Sequence, residues 1–169
     1  MASRSASRFG YGLGFIACVL LLAFALYLQY YQNQDPCPLC IFQRVAYLAL
    51  GVLFLIAALH GPRRIGARIY GVLLFIAAIA GLAVAARQVW LQHLPADMVP
   101  ECGPGLNYML HRYPVGEMVR KVLAGSGECA QVNWTFLHLS IAEWSLICFV
   151  LFVIYIIWVT RVTARRPAW

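Results

Sequence analysis

Four stretches of the chain are almost wholly apolar over about 20 residues each, which is the length that an α-helix needs to cross a bilayer. They cover residues 9–28, 41–59, 69–91 and 139–162. Only 11% of the 169 residues are charged, whereas a soluble domain carries about 25%. Buried helices of a soluble core are the alternative, but stretches this long with short polar turns argue against it. The sequence therefore predicts an all-α membrane protein, a four-transmembrane-helix bundle that forms a single domain over residues 1–169.

Basic residues accompany the apolar stretches on one side of the membrane only. Arginines without any acidic neighbour occupy the N-terminal tail, the turn between the second and third stretches, and the C-terminal tail. They are Arg4, Arg8, Arg63, Arg64, Arg68, Arg161, Arg165 and Arg166. By the positive-inside rule, both termini are cytoplasmic and the segments 29–40 and 92–138 lie outside. This placement also explains the net charge of +7, and no surface suited to nucleic acid is visible.

The six cysteines divide by their position relative to the membrane. Four lie in the outer segments and two lie within the apolar stretches; in this order they are Cys37, Cys40, Cys102 and Cys129, then Cys18 and Cys148. In an oxidising exterior, loop cysteines are expected to be disulfide-bonded or redox-active. For the two cysteines within the membrane we expect inert packing, because a buried thiol behaves as a small hydrophobic group.

The tetrapeptide Cys-Pro-Leu-Cys at residues 37–40 has a spacing that suits either a redox-active dithiol or half of a metal site. A zinc site would use the four outer cysteines as two closely spaced pairs, but Cys102 and Cys129 are separated by 26 residues. A purely structural disulfide is the other alternative, although a C-x2-C ring is too small to staple much of the chain. The spacing therefore favours redox chemistry, with zinc and plain disulfides left open.

The position of Cys40 predicts that its sulfur differs from that of Cys37. Cys40 falls at the start of the second apolar stretch, where free backbone N–H groups and the helix dipole stabilise an anion. Arg44 follows one turn later on the same face, and both effects favour a thiolate at Cys40. Snorkelling to the interface is the alternative role for this arginine. Arg87 and Glu143 lie at a similar depth, and we expect them either to frame with it a polar notch beside the reactive sulfur or to form one salt-bridged cluster.

The second outer segment contains a pattern typical of an amphipathic helix. Apolar residues recur there at helical spacing, with charged residues on the other side. These apolar residues are Val115, Met118, Val119, Val122 and Leu123. Such a helix either lies in the interface plane as a short interfacial helix or caps the bundle, and both roles are compatible.

Taken together, these motifs resemble those of the disulfide bond formation protein B (DsbB) family, the inner-membrane quinone reductases. One motif is Cys37-Pro-Leu-Cys40-x3-Arg44 at the opening of the second span. The other is Ser126-Gly-Glu-Cys129-Ala, followed by Trp134-x-Phe136-Leu137 and a final span that contains Trp144. The resemblance covers nearly the whole chain. It implies a multi-pass protein of the bacterial inner membrane with both redox loops in the periplasm.

The resemblance also implies a route for electrons. A reduced periplasmic oxidase of the DsbA type, with a thioredoxin fold, attacks the disulfide of the second loop and forms a mixed disulfide at Cys102. Electrons then pass through Cys129 to the Cys37–Cys40 pair by thiol–disulfide exchange. Interloop pairing of Cys37 with Cys129 is an expected intermediate. The protein would thus be a protein-disulfide oxidoreductase that sustains disulfide bond formation.

The acceptor implied by the resemblance is a membrane quinone. From the thiolate of Cys40 the electrons are implied to reach ubiquinone, or menaquinone without oxygen, and no metal takes part. Arg44 is implied to lie near the quinone ring. His93 follows Gln88 at the spacing of a family histidine that is linked to the quinone site.

Three other functions compete with this interpretation. A vitamin K epoxide reductase-like enzyme is also a four-helix, quinone-linked thiol enzyme, but its C-x2-C motif lies towards the end of the bundle. A transporter of reducing equivalents would need cysteines within its spans or on the cytoplasmic side. A non-enzymatic scaffold stapled by disulfides is the third. Quinone reduction after substitution of Cys40 distinguishes them most cleanly.

Overall fold

Four long helices dominate the computed structural model, which describes residues 2–100, 108, 111–132 and 134–165. In chain order the helices are α1 (Ala2–Tyr31), α2 (Pro38–His60), α3 (Arg64–Gln92), α4 (Val115–Ala124), α5 (Gly127–Ala130) and α6 (Ile141–Ala164). A 3-10 turn at Ala96–Met98 and a hairpin of strands β1 (Thr135–Phe136) and β2 (Leu139–Ser140) lie between α3 and α6. The helices α1, α2, α3 and α6 are each long and apolar enough to cross a membrane. The predicted four-helix membrane fold is confirmed.

Helix α2 begins earlier than its apolar stretch suggests, because the cysteine tetrapeptide forms its first turn. Cys37 is the N-cap residue, and its sulfur accepts a hydrogen bond of 3.2 Å from the backbone N–H of Cys40. Pro38 occupies the first helical position, where its missing N–H costs nothing. At the other end the N–H of Gly61, at a φ of +61°, bonds to the carbonyl of Ala57 over 2.9 Å. This left-handed residue ends the helix.

Helix α6 begins with a capping box that follows directly from the hairpin. The hydroxyl of Ser140 accepts the backbone N–H of Glu143, whose carboxylate accepts the backbone N–H of Ser140 at 2.6 Å. Leu137 and His138 turn the hairpin at positive φ angles of 52° and 65°. The final span therefore starts two residues later than the predicted residue 139, since Leu139 and Ser140 pair with β1 instead.

The bundle has one open side. Helix α1 packs along α2, α2 packs along α3, and α3 packs along α6, whereas α1 and α6 touch at few points. The core between them holds stacked aromatic rings, and the rings of Tyr47 and Phe149 lie 4.3 Å apart and nearly parallel. Gly81 allows this packing, because a Cβ atom there would lie 2.2 Å from the ring of Phe149. We call the gap between α1 and α6 the seam.

A second layer of apolar residues joins α4 and α5 to the beginning of α2 and the end of α3. We call it the cap cluster, and its members are Cys37, Leu39, Leu91, Met118, Val122 and Cys129. Helix α4 contributes Met118 and Val122 to this cluster, whereas its Val115 and Leu123 stay exposed. Helix α4 thus caps the bundle through part of its predicted apolar face. Its placement in a membrane interface stays a prediction.

Candidate thiol site

Three of the four outer cysteines lie together where α5 meets the start of α2. The sulfurs of Cys37 and Cys40 are 2.6 Å apart, and the thiol of Cys129 is hydrogen-bonded to that of Cys37. Cys129 is only 1% exposed, within the cap cluster. All three carry free thiols. The fourth predicted cysteine, Cys102, lies outside the described residues.

A buried glutamine amide connects two of these sulfurs. The Nε2 atom of Gln88 lies 3.4 Å from the sulfur of Cys37 and 3.2 Å from that of Cys40. Its Oε1 atom accepts a hydrogen bond of 2.7 Å from Gln43, which fixes the orientation of the amide. Sequence reasoning assigned neither glutamine to the site. Each glutamine interrupts an apolar helix, and this pattern could have identified them. A buried polar group in such a place needs a hydrogen-bond partner.

The hydrogen bonds make the sulfurs unequal. The thiol of Cys37 donates to the sulfur of Cys129, which lowers the pKa of Cys129 to about 6 despite the opposing effect of burial. The backbone of Leu39 and the hydroxyl and backbone of Ser126 add to this stabilisation of the thiolate. The pKa of Cys37 is raised by its hydrogen bonds to Cys129 and Cys40 and by burial. Cys37 therefore holds the proton, and Cys129 is the more readily ionised of the two thiols.

An apolar cavity of about 460 Å³ opens on the other side of Cys40. Its polar edge contains Cys40, Gln43, Arg44 and Gln88. Its aromatic wall contains Trp134, Phe136 and Trp144, and the indole N–H of Trp144 donates to the carbonyl of Phe136 over 3.0 Å. A second cavity of about 650 Å³ lies along the seam and shares Leu21 and Cys148 with the first. The sulfur of Cys40 thus contacts the thiol of Cys37 on one side and the apolar cavity on the other.

Arg44 lies at the edge of this cavity with its guanidinium group bonded to α1. Its Nη1 atom donates to Oε1 of Gln29, and its Nη2 atom donates to the carbonyl of Ala25 over 3.0 Å. The half-buried side chain is therefore held between α1 and α2. Arg44 was predicted to lie near Cys40, and both residues line the same cavity.

The prediction that Arg44, Arg87 and Glu143 together frame a polar notch beside Cys40 is wrong. Arg87 donates from Nε and Nη2 to the carbonyls of Leu123 and Ala124, at 3.0 and 2.9 Å, and faces α4. Glu143 caps α6, and neither residue lines the cavity. The alternative of one salt-bridged cluster is wrong as well, because Arg87 contacts these carbonyls in place of a carboxylate. The depth of both residues along their helices was predicted correctly, but not the direction in which they point.

His93 lies at the end of α3 and is not among the residues that line the cavity. Its Nδ1 atom is 2.9 Å from the carbonyl of Val89, and its Nε2 atom is 3.8 Å from the carboxylate of Glu143. With 66% of its side chain exposed, it faces solvent. The role of His93 at a quinone site stays a prediction, and Gln88 occupies the position beside the sulfurs instead.

The remaining described cysteines separate into a core residue and a cavity residue. Cys18 is fully buried in the core of the bundle, whereas Cys148 is half-buried and lines both cavities. Among the described residues, no group of three or more histidines, cysteines or acids has the geometry to hold a metal ion. The arrangement is suited to thiol exchange next to an apolar chamber.

Comparison with known proteins identifies close relatives. The family model described as disulfide bond formation protein DsbB matches residues 7–159. A disulfide bond formation protein B from Nitrosococcus oceani is 48% identical over 155 residues, which cover 92% of each chain. Its counterpart from Hahella chejuensis is 51% identical over 83% of this chain and 85% of its own. A third, from Azoarcus sp., is 53% identical over 80% of this chain and 81% of its own.

Proposed function

Because this chain belongs to the disulfide bond formation protein B family, a family of disulfide-forming oxidoreductases, we propose that it is a thiol:quinone oxidoreductase of the bacterial inner membrane. It reoxidises a periplasmic dithiol oxidase of the DsbA type and passes the electrons to ubiquinone or menaquinone. One observation carries the proposal. Cys40 contacts Cys37, which contacts Cys129, and Cys40 also lines an apolar cavity. Electrons that arrive at Cys129 thus have a contact path to a lipid-soluble acceptor.

The first half of the reaction is thiol–disulfide exchange between the loops. A reduced partner attacks Cys102, and Cys129 leaves as a thiolate, to which the backbone of Leu39 and the hydroxyl and backbone of Ser126 can donate while Cys37 is oxidised. The thiolate of Cys129 then attacks the sulfur of Cys37 in the oxidised Cys37–Cys40 pair. The bond between Cys129 and Cys37 forms, the bond between Cys37 and Cys40 breaks, and Cys40 keeps the electron pair. The choice of Cys37 as the target agrees with its contact to Cys129.

The second half takes place at the cavity beside Cys40. When bound, a quinone supplies an acceptor for two electrons and two protons. The cavity fits such a molecule, because its volume of about 460 Å³ lies within the roughly 300–1,000 Å³ of small-molecule sites. Its aromatic wall can stack on a flat ring, and Arg44, Gln43 and Gln88 offer hydrogen-bond donors at the sulfur end. The seam continues the chamber along α1 and α6, where an isoprenoid tail would contact apolar side chains.

The partner's second thiolate releases Cys102 from the mixed disulfide, and Cys102 attacks Cys129: the bond between Cys102 and Cys129 forms, the bond between Cys129 and Cys37 breaks, and Cys37 leaves as the thiolate. Cys37 and Cys40 are then both reduced, and their disulfide would close again as the acceptor takes up their two electrons and two protons. Gln88 supports this step, since its amide contacts both sulfurs of the pair that must close. The vitamin K epoxide reductase-like alternative expects its C-x2-C motif towards the end of the bundle. Here the motif opens α2, and this position favours the proposal over the alternative.

The experiment that tests the proposal follows quinone reduction by a reduced DsbA-type oxidase with the purified protein in detergent or liposomes. Cys40→Ala is expected to lower the rate by at least about 100-fold, because the sulfur beside the cavity is lost. Cys18→Ala is the matched control, since Cys18 is buried in the core and touches neither cavity. Turnover retained in Cys40→Ala would disprove the proposed route.

The same assay separates the two halves of the site. Arg44→Met removes a donor at the polar edge of the cavity and is expected to raise the apparent KM for the quinone several-fold. The KM for the reduced partner is expected to stay unchanged, because Arg44 does not contact Cys37 or Cys129. Unchanged quinone kinetics in Arg44→Met would remove Arg44 from the proposed quinone site.

A further inference from the structure

Arg87 connects the long helix α3 to the layer that carries Cys129 through two hydrogen bonds. It lies on α3 and donates to the carbonyls of Leu123 and Ala124, at 3.0 and 2.9 Å, and its guanidinium group stacks on Trp90 at 4.3 Å. The last carbonyls of a helix have no partners within it and carry the negative end of its dipole. The planar guanidinium fork matches two adjacent carbonyls, and a cation is favoured there.

The chain leaves this contact and reaches Cys129 within five residues. Gly125 follows α4 at a φ of +85°, and its N–H bonds to the carbonyl of Val122 over 3.0 Å. Gly125 packs so closely on Leu91 that a Cβ atom would lie 2.4 Å from its side chain. Ser126 then caps the four-residue helix α5, which brings Cys129 against Cys37. Helix α5 packs on α3 and α2 through its buried Cys129, and only Gly125 and Ser126 separate it from α4, so the end of α4 also constrains where α5 lies.

We infer that Arg87 is a positioning residue for the transfer between Cys129 and Cys37. It fastens the end of α4 to α3 and thereby raises the fraction of molecules in which Cys129 contacts Cys37. The inference rests on the proposed function, in which Cys129 meets Cys37 in one step and pairs with Cys102 in another. A segment that changes partners needs a reversible attachment, and the two hydrogen bonds to the end of α4 provide it. The contact with Trp90, also on α3, holds the guanidinium group in place.

The test measures how readily Cys37 and Cys129 form a disulfide without any quinone or partner protein. In a Cys40→Ala, Cys102→Ala background they are the only outer cysteines that remain. The protein is equilibrated with reduced and oxidised glutathione. When the two thiols form a disulfide, one molecule of oxidised glutathione accepts their two electrons and two protons and becomes two molecules of reduced glutathione. Mass spectrometry gives the fraction with the Cys37–Cys129 bond. Arg87→Gln is expected to lower this equilibrium constant by about 10-fold or more. Arg87→Lys keeps the charge but not the fork, and an intermediate value is expected.

A matched control separates positioning from a general effect on the fold. In a Cys102→Ala, Cys129→Ala background, Cys37 and Cys40 pair within one turn of α2, so this bond does not require α5 to be in place. There Arg87→Gln is expected to leave the glutathione equilibrium unchanged. An equal shift in both backgrounds, or no shift in either, would overturn the role of Arg87 while the proposed relay stands. Failure of the Cys37–Cys129 bond to form with Arg87 intact would overturn the relay itself, and the role of Arg87 with it.

Discussion

The thiol of Cys37 has a sulfur on each side of it, and this position decides what each cysteine can do. Its proton is shared with Cys129, whose pKa of about 6 makes it a thiolate at neutral pH. Cys37 itself, with a raised pKa, is a poor nucleophile and a well-placed target. Cys40 is the only one of the three that lines the cavity. The order of contacts, from Cys129 to Cys37 to Cys40, is the order in which the proposed electron transfer proceeds.

The shared proton predicts the pH behaviour of Cys129 in the reduced protein. Its titration midpoint is expected near pH 6, and Cys37→Ala is expected to raise it to about 8.5 or above, because the main donor is lost while burial remains. Since the folded-state pKa lies below the unfolded value, the stability that this thiolate contributes is complete above about pH 8.5 and is lost as the pH falls through about 6. The ¹³Cβ chemical shift of labelled Cys129, followed against pH, measures both midpoints.

The substitution Ser126→Ala provides the control for the titration of Cys129. Ser126→Ala removes a weaker donor to the same sulfur and is expected to raise the midpoint less than Cys37→Ala does. A midpoint that is the same in Cys37→Ala and in the unchanged protein would contradict the hydrogen bond between the two thiols.

At this scale the sequence predicts what depends on position along one helix. The place of Cys40 at the start of α2 and that of Cys18 in the core follow from their positions in apolar stretches. The contact of Cys129 with Cys37 depends on how a long loop folds back, and spacing along the chain contains no such information. The direction of Arg87 also depends on rotation about the axis of α3, and an apolar stretch with little amphipathic pattern does not determine that rotation.

Among the elements, the long helices are predictable and the hairpin is not. The bilayer sets a minimum length for each span, so the apolar stretches predict that four long helices exist and place both ends of α2 and α6 to within three residues. Helices α1 and α3 begin seven and five residues before their apolar stretches. The strands of the hairpin are two residues long, and its turn uses Leu137 and His138 at positive φ, where glycine or asparagine is the usual signal. A hairpin built from these residue types leaves almost no pattern to recognise.

The close contact of α3 with α6 predicts a destabilising glycine substitution. In Gly81→Ala the new Cβ atom would lie 2.2 Å from the ring of Phe149, and that ring is held by its stacking on Tyr47. Overpacking of this kind costs about 1–3 kcal/mol. Gly12→Ala is the matched control, because nothing lies within 4 Å of a Cβ atom there and alanine gains about 0.5–1 kcal/mol over glycine within a helix. Unfolding by sodium dodecyl sulfate in mixed micelles measures both free energies, and equal effects would contradict the packing described.

In the part of the chain that the structure describes, the arginines of the N-terminal segment, of the α2–α3 turn and of the end of α6 lie at one end of the bundle. Arg8 on α1 donates to the carbonyl of Leu59 at the end of α2, over 3.0 Å, so the N-terminal segment and the α2–α3 turn lie together. Arg161 lies in the last turn of α6. This turn is next to the first turns of α3, where Arg63 and Arg64 lie, because Gly71 of α3 packs against Thr160 of α6. The cysteines lie at the opposite ends of α2 and α3. These arginines and the cysteines are thus separated by the length of a span.

This separation predicts the orientation in the membrane. A green fluorescent protein fused after Ala164 is expected to fluoresce, and alkaline phosphatase fused there is expected to be inactive, because the arginine-rich end stays in the cytoplasm. Fusion of the same two reporters after Leu94, beyond α3, is expected to give the reverse pattern. Active phosphatase after Ala164 would place the cysteines on the reducing side and contradict the proposed route.

The sparse contact between α1 and α6 has a consequence for how two unlike reactants use one protein. In the proposed reaction, the water-soluble partner protein approaches over the layer formed by α4 and α5. The lipid-soluble acceptor would enter from the side, through the seam, and reach Cys40 without leaving the apolar cavities. The two routes do not overlap, so neither reactant has to leave before the other binds. On this proposal the bundle is a junction between two solvents, and lateral diffusion within the membrane supplies its second reactant.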